Sequence, residues 1–281
     1  MYILSFDVAS KSLAVSLLLY DDDYKNKIDA ITNEIEKLYI DIKNINGNTS
    51  SENIYKTLNT VKNKLIEYNN IISNGIKPIF LDVVDLIPDK KIKDTTVINR
   101  ANRLKSYLNY IDKLVYEEID NKCINKKIHK YIPIKVLLEY QMGPNDKSRN
   151  VCSQILYNYS KNDDCGFKSY NFDINKTIHS DKSGDFDKNH NLNLSHSVEI
   201  VGPSLKNKIN LDKKKDHQFF LNKYTNKYDA NKKHSSHNFL LWINQKSSEC
   251  MIEKIPKKNI DDISDSVTMG LSWIKYNFHN I

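Results

Sequence analysis

The sequence predicts an α/β fold in which helices flank a mixed central sheet. Short apolar runs of strand length alternate with longer segments whose apolar residues recur every three or four positions. The predicted order is β, β, helical insertion, β, α, β, α, β, α, α, which is typical of the α/β class. With 281 residues, 40% of them hydrophobic, the chain is long and apolar enough to build a core. We therefore expect a single domain over residues 1–281.

The N-terminal segment predicts a β-hairpin. Residues 2–7 (YILSFD) and 13–20 (LAVSLLLY) are mostly apolar, and the short polar link VASKS separates them. The first strand ends close to the carboxylate of Asp7.

Residues 24–74 predict an inserted antiparallel pair of amphipathic helices, joined by the polar breaker NGNTSSE with Ser51 as a helix cap. Their apolar positions have helical spacing: Ile28, Ile31, Ile35, Leu38, Ile42 and Ile45, then Ile54, Leu58, Val61, Leu65, Tyr68 and Ile72. The two apolar stripes either bury each other or also bind a second subunit or DNA, and the first interpretation is favoured.

The rest of the chain alternates between strands and helices until a polar interruption. Strands are predicted at 78–87, 132–140 and 197–201, and helices at 95–119, 147–159, from about Ser236, and from about Asn259 to Phe278. Residues 160–195 are polar with few apolar anchors, which favours a flexible insertion.

Composition excludes several classes of protein. No apolar run approaches the roughly 20 residues that span a bilayer, and four scattered cysteines do not form a disulfide framework. The N-terminus lacks the features of a signal peptide. The net charge of +7 favours a polyanionic partner such as nucleic acid, although a chain rich in Lys, Asn and Ile also suits an AT-rich genome.

Four acidic residues stand out by their positions. Asp7 and Glu139 end predicted strands, and Asp262 and Asp265 lie three apart in DDISDS, on one face of the last helix. That face continues through Met269, Trp273 and Tyr276, and the opposite face is also apolar, so we expect the helix to be packed on both sides.

Each of these carboxylates also has a structural explanation, such as a turn, a solvated strand end or a helix N-terminus. Together they suggest more, because carboxylates brought close must bind protons or a cation. Hard oxygen ligands suit Mg²⁺ or Mn²⁺, and a pair of such ions hydrolyses phosphodiesters.

The sequence resembles the RuvC-like Holliday junction resolvases of the RNase H superfamily, particularly the branch of poxviruses and other large DNA viruses. The resembling segments are FDVASKS with Asp7, LLEYQ with Glu139, and DDISDS with Asp262 and Asp265. They follow the family order Asp…Glu…Asp-x-x-Asp over roughly residues 1–20, 78–160 and 197–281. The resemblance implies an RNase H-like fold, to which 24–74 and 160–195 are additions.

The resemblance also implies an activity and its partners. The four acids would be catalytic and would hold two Mg²⁺ ions, with Mn²⁺ as a substitute, and an activated water would cut the phosphodiester to leave a 5′-phosphate. Members of the family act as homodimers on four-way DNA junctions in recombination and repair. A viral protein of this kind would work at a replication site in the host cytoplasm.

Nearby basic residues are the candidate DNA contacts. In the family, lysines before the last helices assist, and the local candidates are Lys206, Lys208, Lys232 and Lys233. A solvated basic loop is an equally good explanation for any single one of them. Gln141 is a weaker candidate for orienting the substrate.

Other site types are less favoured. His234 and His237 lie three apart, near the scattered Cys152, Cys165, His179 and His190, but the absence of a CxxC motif argues against a zinc site. No P-loop or GxGxxG motif occurs. Trp242 and Trp273 are better explained as core residues than as stacking platforms.

Two other functions remain open on the sequence. The same fold and metal site suit an RNA–DNA hybrid nuclease, and a non-catalytic scaffold would bind nucleic acid or a partner through the helical pair.

Overall fold

The computed structural model describes residues 1–9, 11–21, 24–44, 51–88, 96–126, 132–139, 146–160, 168–169, 193–212, 214–246 and 255–278. Its strands are β1 (Tyr2–Val8), β2 (Ser12–Tyr20), β3 (Ile76–Asp85), β4 (Ile132–Glu139), β5 (Lys168–Ser169) and β6 (Asn193–Val201). Its helices are α1 (Lys25–Lys43), α2 (Ser51–Asn74), α3 (Val97–Lys126), α4 (Asp146–Ser160), α5 (His217–Lys223), α6 (Lys227–Asn244) and α7 (Ile260–Phe278).

All six strands form one mixed sheet in the order β3-β2-β1-β4-β6-β5. β1 pairs antiparallel with β2, as the sequence predicts, and β2 pairs antiparallel with β3. β1, β4 and β6 are parallel neighbours. The predicted α/β class with a mixed sheet is therefore confirmed.

The edge position of β3 suits its proline. Pro78 has no N–H group to donate to a ladder, so an edge strand tolerates it best. The pairing of β2 with β3 shifts between Leu17 and Leu18, and Leu18 then lies opposite Pro78.

Each face of the sheet is covered by a separate apolar core. On one face, alternate strand residues such as Ile3 and Leu137 pack with α6, α7 and the α1–α2 pair. On the other, residues such as Phe6 and Leu138 pack with α3 and α4. Both faces of β1 and β4 are buried, which explains why these strands read as continuous apolar runs.

The helices α1 and α2 bury their apolar stripes mainly at the end near the sheet. Ile28, Ile35 and Tyr68 are fully buried there, whereas Ile40 and Leu58 are 56% and 50% exposed. The C-terminus of α2 is fixed to α6, because Trp242 Nε1 donates to the Ser73 carbonyl at 2.9 Å. The two stripes therefore bury each other only in part.

The predicted start of the helix near Ser236 is wrong. α6 begins at Lys227 and is preceded by the short helix α5. Side chains cap both helices: Asp216 accepts a hydrogen bond from Phe219 N, and Asn226 accepts one from Tyr228 N. These polar caps offset the weak helical pattern of a segment rich in Lys, Asn and His.

Two further differences concern particular segments. β6 begins at Asn193, four residues before the predicted strand, and the predicted insertion 160–195 otherwise falls mostly outside the described residues. Tyr276, expected to be packed, is 63% exposed because it lies at the end of α7. None of the described helices has the length and apolar character needed to cross a membrane.

Candidate active site

Asp7 and Glu139 lie side by side at the edge of the sheet where β1 and β4 end. These parallel strands pair as far as Phe6 with Leu138, so the next residues along them are Asp7 and Glu139. Side chains alternate between faces along a strand, which turns both carboxyl groups toward the α7 side, as for Ile3 and Leu137. The carboxyl groups of Asp7 and Glu139 are close enough to interact with each other.

Asp262 and Asp265 reach the same edge from the first turns of α7. This helix packs on β1 and β2, and a Cβ atom at Gly270 would lie only 2.8 Å from Leu18 Cδ1 and 3.2 Å from Ser5 Oγ. The glycine thus permits a close approach of helix and sheet. Asp265 is 1% exposed, whereas the Asp262 side chain retains 34%.

The ammonium group of Lys206 joins the strand acids to the helix acids. This lysine lies in a short 3-10 turn, Leu205–Asn207, just after β6. Its Nζ is 2.8 Å from Asp265 Oδ2 and 3.3 Å from Glu139 Oε1. The carboxylate of Asp265 and that of Glu139 are therefore held together by one buried cation.

A second ammonium group, that of Lys232 on α6, lies on the helix acids. Its Nζ is 3.0 Å from Asp265 Oδ2 and 3.2 Å from Asp262 Oδ1. Ser12 Oγ, at the start of β2, donates to Asp262 Oδ2 at 3.5 Å. We define the acid–lysine cluster as the six side chains of Asp7, Glu139, Lys206, Lys232, Asp262 and Asp265.

Burial raises the pKa of Asp7 well above its usual value, and the hydrogen bond to Glu139 and the charges of Glu139 and Asp265 raise it further; Lys206 opposes them. Burial alone would lower the pKa of Lys206 by favouring the neutral amine, but the charges of Asp7, Asp265 and Glu139 outweigh it and raise that pKa. The cluster therefore raises the pKa of the Asp7 carboxyl group and that of the Lys206 amine within one enclosed space.

One oxygen of the cluster has no hydrogen-bond partner among the described residues. Asp265 Oδ1 is buried and accepts no hydrogen bond from them, although Oδ2 of the same carboxylate contacts both lysines. A buried carboxylate oxygen without a donor is costly. It is a position that a bound cation would satisfy.

Within the described part of the chain, no three His, Cys, Asp or Glu side chains are arranged to hold a metal ion. The carboxyl groups instead surround the two ammonium groups. As a donor set, the four acids still suit a hard divalent ion, because they offer only oxygen ligands and include the unsatisfied Asp265 Oδ1.

The other two predicted basic residues lie outside the cluster. Lys233 pairs at 3.4 Å with Asp261, whose other oxygen accepts a hydrogen bond from Ser236. Lys208 is exposed, and its carbonyl accepts a hydrogen bond from Lys275. The contact of Ser12 with Asp262 and the pairing of Lys233 with Asp261 could not be predicted from residue spacing, because both depend on how α7 docks.

The two candidate zinc histidines on α6 have different hydrogen-bond partners. His237 Nε2 lies 2.8 Å from Asp212, whereas His234 Nε2 lies 2.9 Å from the Asn238 amide. Cys152 lies beside the active-site edge, where burial raises the pKa of its thiol to about 12. Cys165, His179, His190 and Gln141 fall outside the described residues. Trp242 and Trp273 are both buried, as expected of core residues.

Comparison with family models, curated proteins and solved structures found no match to this chain.

Proposed function

We propose that this protein is a metal-dependent endonuclease of the RuvC-like type that resolves four-way DNA junctions. The observation that carries the proposal is the meeting of Asp7, Glu139, Asp262 and Asp265 at one edge of the sheet. These acids come from three elements that are distant in the sequence. A packing accident accounts poorly for four carboxyl groups in one partly buried space, because each adds to the repulsion.

The topology supports an RNase H-like fold. Among β1, β2, β3, β4 and β6, only β2 is antiparallel to the others, and β1 lies at the centre between β2 and β4. The acids lie at the carboxyl ends of the central parallel strands, the usual position of sites in open α/β sheets. On this interpretation α1 and α2 are an insertion between β2 and β3.

Asp7, Glu139, Asp262 and Asp265 would hold the two Mg²⁺ ions, and Mn²⁺ would substitute. When bound, such ions supply Lewis-acid stabilisation of the scissile phosphate and a more acidic water. Burial and the neighbouring Glu139 raise the pKa of Asp7, which favours its protonated form, whereas a bound cation would favour its carboxylate form.

Exposed lysines supply a surface for the DNA backbone near this edge. Lys208 is exposed, and the Lys233 side chain is 48% exposed although it pairs with Asp261, so both are accessible to phosphates. The overall charge of +7 acts in the same direction. A homodimer would place two such edges on opposed strands of a junction, and a viral replication site in the host cytoplasm would supply that DNA.

A cleavage assay tests the proposal directly. The full chain and Mg²⁺ are incubated with one substrate at a time: a synthetic four-way junction, a linear duplex or an RNA–DNA hybrid. The nicks in each substrate are then mapped. We expect paired nicks on opposed strands of the junction and little cutting of the duplex. Preferential cutting of the hybrid would instead indicate a hybrid nuclease, and DNA binding without cleavage of any substrate would indicate a non-catalytic scaffold.

A further inference from the structure

The ammonium groups of two largely enclosed lysines contact the carboxylates much as a pair of metal ions would. Lys206 Nζ and Lys232 Nζ lie 2.8 Å and 3.0 Å from the same atom, Asp265 Oδ2. Lys206 also contacts Glu139, and Lys232 also contacts Asp262. One carboxylate oxygen thus bridges two positive charges, as a ligand shared by two metal ions would.

The lysines are enclosed rather than solvated. Their side chains are only 15% and 17% exposed, in contrast to 48% for Lys233. Carboxylates crowded together in such surroundings require compensating positive charge. In the structure that charge comes from the two ammonium groups, and it is balanced against the four carboxyl groups of the cluster.

A divalent ion and an ammonium group compete for these oxygens. The lysine contacts occupy Asp265 Oδ2 and both oxygens of Glu139, at 3.3 and 3.4 Å for the latter. A metal ion bound to the same atoms would lie within a few ångströms of Nζ, where like charges repel strongly. Metal binding at these oxygens therefore favours movement of the ammonium groups away from them.

We propose that Lys206 and Lys232 act as internal counter-ions that divalent metals displace, and that the released ammonium groups then bind the phosphate of the substrate. This inference rests on the proposed function. Lysine is suited to such a movement, because its ammonium group is a compact charge on a flexible stem. Metal and nucleic acid then favour each other's binding, since the phosphate stabilises the lysine position that metal binding requires.

The exit route of Lys232 is visible at the surface. Its Nζ lies 6.0 Å from the ring centre of Tyr228, one turn earlier on α6, and Tyr228 is 64% exposed. A short rotation of the side chain therefore carries the ammonium group from the acids to the surface beside an aromatic ring.

Lysine acetylation of the unmodified full-length chain, followed by mass spectrometry, tests the displacement without any substitution. Mn²⁺ binding is followed in parallel by electron paramagnetic resonance. We expect saturating Mn²⁺ to raise the acetylation rates of Lys206 and Lys232 several-fold, while the rate for Lys77, whose partner Asp21 lies outside the cluster, stays the same. Mn²⁺ binding with unchanged or slower acetylation of both lysines would overturn the inference.

Substitution of the lysines gives an independent measurement. Lys206→Met and Lys232→Met should each bind Mn²⁺ on the order of tenfold more tightly, a change within the range known for groups next to metal ligands. Lys233→Met, which removes the same charge from the neighbouring Asp261 pair, should bind as the wild type does. If a variant does not fold, the acetylation result decides.

The outcomes separate the two proposals. If neither the wild type nor any variant binds Mn²⁺, the proposed metal-dependent activity fails and this inference fails with it. If the wild type binds Mn²⁺ and cuts junctions, but the lysine variants bind it no more tightly, only the displacement is wrong.

Discussion

Lys206 and Asp265 are 59 residues apart in the sequence, yet Lys206 Nζ lies 2.8 Å from Asp265 Oδ2. The Asp265 side chain is buried, at 1% exposure, and the Lys206 side chain is largely enclosed, at 15%. The pair fixes the turn after β6 against the first turns of α7. Removing one partner of such a buried pair typically costs about 3–5 kcal/mol, because the other charge is left uncompensated. The geometry of the cluster therefore depends on charge balance as much as on packing.

Asp7→Asn should separate catalysis from stability. The change removes a proposed metal ligand but keeps the shape of the side chain, so we expect cleavage of the four-way junction to fall by more than about 100-fold. Junction binding should be nearly unchanged. Because burial raises the pKa of Asp7, a neutral residue is well tolerated there, and the melting temperature should not fall at pH 7.

Asp21→Asn is the matched control for this experiment. Asp21 follows β2 at the opposite end of the sheet and pairs with Lys77 at 3.2 Å. The control should cut the junction at the wild-type rate. Cleavage by Asp7→Asn at the wild-type rate would show that Asp7 is not a catalytic residue.

Gly270→Ala should destabilise the docking of α7. The new methyl group would meet Leu18 and Ser5, which are both fully buried. Overpacking of this kind costs about 1–3 kcal/mol, and the helix propensity of alanine recovers about 1 kcal/mol of it. We expect a net loss of about 1 kcal/mol in the free energy of unfolding, measured by urea denaturation.

Gly202→Ala serves as the comparison for Gly270→Ala. A Cβ atom there would find only Ser204 Oγ, at 4.0 Å, so the substitution should be nearly neutral. Equal losses for the two variants would show that close contact between α7 and the sheet is not what Gly270 provides.

Much of the fold follows from hydrophobic pattern alone. The hairpin of β1 and β2 and the boundaries of α7 could be predicted because their apolar residues bury against both layers of the structure. The helices α5 and α6 could not be placed in this way. Their sequence is rich in Lys, Asn and His, and they depend on caps and on tertiary contacts such as that of Trp242 with Ser73.

The candidate site shows the same limit. Asp7, Glu139, Asp262 and Asp265 could be selected from strand ends and helix spacing, and the structure brings them together. The pattern could not separate Lys232 from Lys233, because neighbours on a helix point about 100° apart and the start of α6 was not known. Lys232 contacts Asp265, whereas Lys233 contacts Asp261. Their predicted contacts with DNA stay a prediction.

His234 should make folding sensitive to acid. Burial lowers the pKa of this fully buried side chain to about 4, with smaller contributions from His217 and His237. In the unfolded chain the imidazole of His234 therefore binds a proton near pH 6.5, whereas in the folded chain it stays neutral at that pH. Stability is fully present above that pH and falls as the pH drops, by about 2 kcal/mol between pH 6.5 and 5 for one such group.

Urea denaturation at several pH values would measure this loss in the wild type and in His234→Gln. The variant lacks the titrating group and should lose about 2 kcal/mol less than the wild type over the same interval. His237→Gln, which removes a partly exposed histidine paired with Asp212, is the control. Identical pH dependence of the wild type and His234→Gln would show that another group governs acid sensitivity.

Junction affinity should fall steeply with salt concentration, because lysines that contact phosphates displace counter-ions from the DNA. Lys208 and Lys233 are the exposed candidates beside the acid–lysine cluster, and the Lys233 side chain is 48% exposed. Replacing each with Met should reduce the slope of log affinity against log salt by about 1, with similar losses for different DNA sequences. Fluorescence anisotropy with a labelled junction over a range of KCl concentrations gives the slopes. Lys77→Met, at the opposite end of the sheet, is the control and should leave the slope as in the wild type. A slope near zero for the wild type would show that lysine–phosphate contacts do not contribute to junction binding.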